Sequence, residues 1–213
     1  NVWDTDKQLA AAIANAIVTR TNQKSVASSN NMKLEILQKL QHDFNTQKDT
    51  LQQIEQQLRD YLGVRHILWL GDGIVGDDTD GHIDDTVRFV NEDTVVTVVE
   101  SNKTSENYTL LQDNLKELQQ MRLSNGKQLN IVELPMPADV IYEDQFLPAS
   151  YANFYISNAH VVVPTFRCDR DDQAMRIIQD CFPTRTVVGI DSTDIIWGLG
   201  SFHCLSQQEP STK

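Results

Sequence analysis

A four-part pattern that occurs twice constrains the fold more than any other feature. VRFV (Val87 to Val90) and TVVTVVE (Thr94 to Glu100) flank Asn91-Glu92-Asp93 as two strands around a turn. An amphipathic helix follows, marked by Leu111, Leu115, Leu118 and Arg122 and widened by Leu110 and Met121, and then a strand, LNIVELP (Leu129 to Pro135). The order returns in YANFYIS (Tyr151 to Ser157), HVVVP (His160 to Pro164), a helix over Asp171 to Cys181 and TVVGID (Thr186 to Asp191). A third, degraded copy of this ββαβ unit is read before residue 70. Such units bury their apolar faces against neighbours, which predicts an α/β ring or stack of modules.

The earlier residues are less patterned. AIVTRT (Ala16 to Thr21) reads as a strand and SVASSNN after it as a loop. From about Thr46, Leu51, Ile54, Leu58 and Leu62 recur at helical spacing until Gly63, a residue suited to ending a helix. RHILWL (Arg65 to Leu70) reads as a buried strand. Residues 1–60 therefore form one poorly matched segment, part of an incomplete module, and residues 61–213 the main body.

A chain of 213 residues can bury a substantial core by itself. It contains no apolar run near the roughly 20 residues of a spanning helix. Its net charge of −12 argues against nucleic acid or anionic lipid as partners and favours a small cation. Cys168, Cys181 and Cys204 show no CxxC spacing, so reduced thiols and a cytoplasmic location are expected. The start at Asn1, with no charged and apolar leader, reads as a fragment or processed product without a signal peptide. Sequons at Asn102 and Asn107 carry little weight without one.

Two segments carry chemistry. GDDTDGHIDD (Gly76 to Asp85) places five aspartates and one histidine in ten residues. An acidic loop of this kind can be a solvated turn or a hard-cation site, although no glutamate closes it at the twelfth position as an EF-hand requires. As the start of a strand, His82-Ile83-Asp84 would put His82 and Asp84 on one face, about 6.6 Å apart, with Asp85 turned away. The second segment is WGLGSFHCLSQQEP (Trp197 to Pro210), where Cys204 follows a glycine-bearing turn and keeps polar company. Cys168 and Cys181 read as small buried hydrophobes, and His203 as packing or rim. By residue type alone, a Cys-His-Asp hydrolase of the protease kind also remains open.

Together, LWLGDGIVGDDTDGHIDDTVRFV, LPASYANFYISNAHVVVPTF, FPTRTVVGID and GSFHCLSQQEP resemble the agmatine deiminase and bacterial-type peptidyl-arginine deiminase family, guanidine-modifying proteins of pentein fold. The match runs from about residue 60 to 210 in collinear order. The resemblance implies a pentein-type α/β propeller of five ββαβ modules, here incomplete at about three. It implies a cofactor-free hydrolysis in which Cys204 attacks a guanidinium carbon, His82 is the general acid/base and Asp84 holds the guanidinium. Asp78 and Asp80 would order the loop or touch substrate, and Gly198 and Gly200 would let backbone approach the thiol. No metal is implied.

The family's Trp-x-Arg-Asp motif, source of a first guanidinium-binding carboxylate, is not found; Trp3-Asp4 is followed by Thr5. The expected substrate is agmatine, with peptidyl arginine or another guanidine as the alternative. A truncated, non-catalytic pentein serving in binding or assembly is the rival of another class. A homo-oligomer, or association with the missing N-terminal modules, is the expected assembly.

Overall fold

The computed structural model describes residues 26–77 and 81–209. The strand read at Ala16 to Thr21 lies outside them, as do Asp78 and Asp80. The chain divides into two compact units, Asn1–Ile67 and Leu68–Lys213.

In the first unit, helix α1 runs over Val26–Leu62. It takes in the Ser- and Asn-rich stretch that reads as a loop, and begins well before Thr46. Leu37, Leu51 and Leu58 are half-buried on one stripe, while Ile54 is exposed. Side-chain pairs such as Arg59–Glu55 at 2.8 Å link successive turns. Gly63, at φ +67°, ends the helix, its N–H donating to the Arg59 carbonyl at 3.0 Å.

The second unit holds the repeats. Strands β1 (Val87–Phe89), β2 (Thr94–Val99) and β3 (Asn130–Pro135) form one sheet, with helix α2 (Asn107–Gln120) crossing from β2 to β3. β1 pairs antiparallel to β2, and β2 parallel to β3 from Thr94↔Asn130 to Val99↔Pro135. A short hairpin, β4 (Val140–Tyr142) and β5 (Gln145–Leu147), intervenes. Then β6 (Tyr155–Ile156), β7 (His160–Thr165), helix α3 (Asp171–Cys181) and β8 (Thr186–Asp191) repeat the first module's pairing. Two ββαβ modules are thus present among the described residues. The degraded third copy is not found there, because residues 26–62 are a single helix.

Val96, Val98, Leu111, Leu134, Phe154, Val161, Val163 and Ile178 share one core that joins both modules. β2 is buried at four consecutive positions because both its faces are covered. None of the described helices is long and apolar enough to cross a membrane.

RHILWL is not a strand. Leu68 and Leu70 pack beside Val87, Val95, Leu118 and Leu129, so the apolar alternation is used without a strand. Asn114 accepts from the Gly71 N–H at 3.0 Å and donates to the Asp72 carbonyl at 2.8 Å, and Asn107 accepts from the Val75 N–H at 2.8 Å. The two asparagines are buried at i and i+7 on one helix face, and together they tie down the stretch from Gly71 to Val75 that follows RHILWL.

Candidate active site

The acidic loop is closed at its neck by two glycines. A Cβ on Gly73 would lie 2.4 Å from the Gly81 Cα, and Gly81 sits at φ +108°. Only glycines permit so close a backbone approach. Within the loop, Asp77 accepts from the His82 N–H at 2.5 Å and pairs with His82 Nδ1 at 2.9 Å. One carboxylate therefore fixes both the backbone and the ring of His82.

The chain then turns rather than extending. Ile83–Asp85 is a single 3-10 turn, so strand alternation does not set the direction of these side chains. Asp85 does not turn to solvent. It is buried, at 1 % exposure, while Asp84 is half-buried at the surface of the site.

Cys204 arrives from the other end of the unit, after β8 and a 3-10 turn at Ile196–Gly198. Its Sγ lies 3.2 Å from Asp84 Oδ2, to which the thiol donates. A Cβ on Gly200 would come within 2.7 Å of the Cys204 Cβ and 3.1 Å of Sγ, so Gly200 provides the room the thiol occupies. Gly198 does not: a Cβ there meets nothing within 4 Å.

Asn153 joins the two ends. Its Nδ2 group lies 3.1 Å from Asp84 Oδ2, 2.9 Å from Asp85 Oδ1 and 3.0 Å from Cys204 Sγ. Its Oδ1 accepts from the N–H groups of Ser201, His203 and Cys204 at 3.2, 3.0 and 3.2 Å. Arg88 holds the chain on either side of it, donating to the Ala152 and Phe154 carbonyls at 3.2 and 3.0 Å while its guanidinium lies over the Phe154 ring.

His203 is not merely rim. Its Nδ1 meets Asp84 Oδ2 at 2.6 Å, the oxygen the Cys204 thiol also reaches. Asn153, His203 and Asp85 were not assigned to the site from sequence. The available signal for Asn153 was one polar residue among the aromatics of YANFY.

The charges shape the thiol. Burial, with Asp84 and Asp85 close by, pushes Cys204 up to about 11, against the lowering effect of the Asn153 hydrogen bond. Burial and the neighbouring Asp84 raise Asp85 to about 7. Burial also acts to raise Asp84, but hydrogen bonds from His203 and Cys204 outweigh it and the net shift is downward. One Asp85 oxygen, Oδ2, is buried without a hydrogen-bond partner.

Among the described residues, two groups bring potential ligand atoms within 4.8 Å of one another: Asp77, His82 and Asp85, and Asp84, Asp85 and Cys204. Asp85 belongs to both, so it lies between the His82 ring and the thiol. The second group offers a cation both carboxylate and sulfur. Cys168 and Cys181 stand apart from this cluster, half-buried against the core. Cys168 is more than a small hydrophobe, since its Sγ lies 3.1 Å from the Tyr151 hydroxyl.

Comparison with known proteins follows the same residues. The family model for Porphyromonas-type peptidyl-arginine deiminase matches residues 3–210. A curated relative from Lactococcus lactis described as "Putative agmatine deiminase" is 36 % identical over 177 residues, covering 75 % of this chain and 48 % of that protein. The solved structure of the "Putative Arginine Deiminase" from Porphyromonas gingivalis superposes with a TM-score of 0.72 at 40 % identity, over 74 % of this chain and 47 % of that one. The agmatine deiminase of Enterococcus faecalis gives a TM-score of 0.70 at 33 % identity, over 74 % and 48 %. The chain spans about half the length of the curated relatives it matches. With a family model matched over nearly its whole length, the chain belongs to the Porphyromonas-type peptidyl-arginine deiminase family.

Proposed function

We propose that this chain forms the thiol-bearing part of a guanidine deiminase of pentein-type architecture, converting agmatine to N-carbamoylputrescine and ammonia. The observation that carries the proposal is the 3.2 Å separation of Cys204 Sγ from Asp84 Oδ2. A guanidinium is planar and cationic, so a carboxylate holding its N–H edge presents the central carbon to a sulfur alongside. The names of the related proteins support agmatine as the substrate.

In this reading the resting thiol is protonated, consistent with its upward shift to about 11. The arriving cation offsets the field of Asp84 and Asp85 and favours the thiolate, the thiol proton passing to solvent while His82 enters the reaction protonated. Sulfur attacks the guanidinium carbon and forms the C–S bond. The C–N bond then breaks, and ammonia leaves with a proton from His82. Water attacks the resulting thiouronium carbon, gives a proton back to His82, and the C–S bond breaks to release the ureido product and restore the thiol. A second carboxylate completing the grip on the guanidinium is expected from the part of the fold that the relatives contain beyond the matched half.

The test is ureido product and ammonia from the purified protein with agmatine and with a peptidyl arginine, for wild type and Cys204→Ala. Product from agmatine that disappears in the variant supports the proposal. Turnover of peptidyl arginine alone moves the substrate assignment. No product from a folded wild type with either substrate would favour a binding or assembly role.

A further inference from the structure

We propose that Asn153 is a catalytic residue, a neutral donor that stabilises the Cys204 thiolate directly while holding the thiol against Asp84. The inference rests on the proposed use of Cys204 as a nucleophile, but its own content is the proton equilibrium of the sulfur.

The sulfur sits in a field that opposes its ionisation. Asp84 Oδ2 is 3.2 Å away and Asp85 shares the same cluster, so a bare thiolate there would face two carboxylates. Arg88 is within electrostatic reach of Asp84, Asp85 and Cys204 but gives its hydrogen bonds to the Ala152 and Phe154 carbonyls, not to the sulfur. Asn153 Nδ2, at 3.0 Å, brings an N–H to Sγ.

The orientation of that amide is determined by its neighbours. Four donors converge on Oδ1: the N–H groups of Ser201, His203 and Cys204, and the Ser201 hydroxyl at 3.0 Å. Flipping the amide would set its NH2 against four donors and its oxygen against two carboxylates. The N–H edge must therefore face Asp84, Asp85 and the sulfur. The side chain is fully buried, and the Asn153 carbonyl accepts from the His203 N–H at 3.1 Å, so the donor is held in place before any substrate arrives. On ionisation the thiol proton leaves to solvent and the sulfur lone pair gains an acceptor role toward Nδ2–H. An aspartate could keep the four donors but would offer the sulfur no N–H.

The experiment follows alkylation of Cys204 by iodoacetamide across pH in the full-length protein, resolved from Cys168 and Cys181 by peptide mass spectrometry. Asn153→Ser and Asn153→Asp are compared with wild type, with circular dichroism confirming the fold. The expected result is a Cys204 midpoint raised by at least about one unit in both, which is about tenfold less thiolate at a given pH, together with a fall in kcat larger than any change in KM. Folded variants with an unchanged midpoint overturn the proposal. Because these substitutions also remove core hydrogen bonds, the wild type supplies a second measurement. The Asn153 side-chain NH2 resonances in a nitrogen-15 correlation spectrum should titrate with the midpoint of Cys204 alkylation and lose that transition in Cys204→Ser; resonances indifferent to it overturn the proposal. A raised midpoint in a protein that deiminates no guanidine would refute the proposed function and the catalytic use of Asn153, and leave its stabilisation of the Cys204 thiolate standing.

Discussion

His203 Nδ1 lies 2.6 Å from Asp84 Oδ2, and since an ionised carboxylate only accepts, Nδ1 carries the proton between them. The hydrogen bond helps to hold the Asp84 carboxyl below its ordinary value. A depressed carboxyl contributes stability above the unfolded-state value near 3.9, and loses it as pH falls through the folded value. His203→Ala should therefore lower stability by about 1 kcal/mol at pH 7 and by less at pH 3, read from urea midpoints.

Asp85 behaves in the opposite sense. Raised to about 7, it contributes stability below the unfolded value near 3.9 that is lost as pH rises toward 7. Asp85→Asn removes this loss and supplies N–H donors at the position of the orphaned Oδ2. Relative to wild type, its stability should improve by about 2–4 kcal/mol between pH 4 and pH 8. Denaturation curves at the two pH values check this, and a constant difference would refute it.

Asp84 raises the thiol by its charge and by accepting the thiol proton, yet in the proposed reaction it is also the substrate's anchor. Asp84→Asn should therefore separate two readouts. Alkylation of Cys204 at pH 8 rises severalfold, whereas deimination falls by about a hundredfold or more. Parallel loss of both would point to a collapsed site.

The two glycines before Cys204 make a paired test. Gly200→Ala forces a Cβ to 2.7 Å from the Cys204 Cβ and should cost about 1–3 kcal/mol and slow alkylation. Gly198→Ala faces open space and should stay within about 0.5 kcal/mol of wild type in both thermal and chemical denaturation.

Asn114→Ala leaves the Gly71 N–H and Asp72 carbonyl without their side-chain partner. A loss of about 2–3 kcal/mol is expected, together with reduced deimination because the segment leads into the loop that carries His82. Urea denaturation separates the two effects if activity is measured well below the unfolding transition.

The repeats were legible because their strands alternate and their helices carry apolar stripes, signals that depend on neighbours a few residues away. RHILWL carried the apolar pattern without the ladder: Leu68 and Leu70 pack into the core, and the side chains of Asn107 and Asn114 bond the backbone just after it, at Gly71, Asp72 and Val75. The β4–β5 hairpin escaped notice because Glu143 and Asp144 occupy left-handed positions, φ 47° and 63°, that Asn-Gly usually announces. Cys204 and Asp84 do meet, but His82 and Asp84 do not pair on one face: the 3-10 turn groups Asp85 with His82 and Asp77, and sets Asp84 against Cys204 and His203. Asn153 required three dimensions, because its partners come from residues 84 to 85 and 201 to 204.

Asp84 precedes β1 of the first module, and Cys204 follows β8 of the second. Thiol and carboxylate thus belong to different copies of one repeated unit, joined across the seam by Asn153. The two groups are therefore brought together by the packing of one module on the other, so whatever loosens that seam separates them even when each module stays folded.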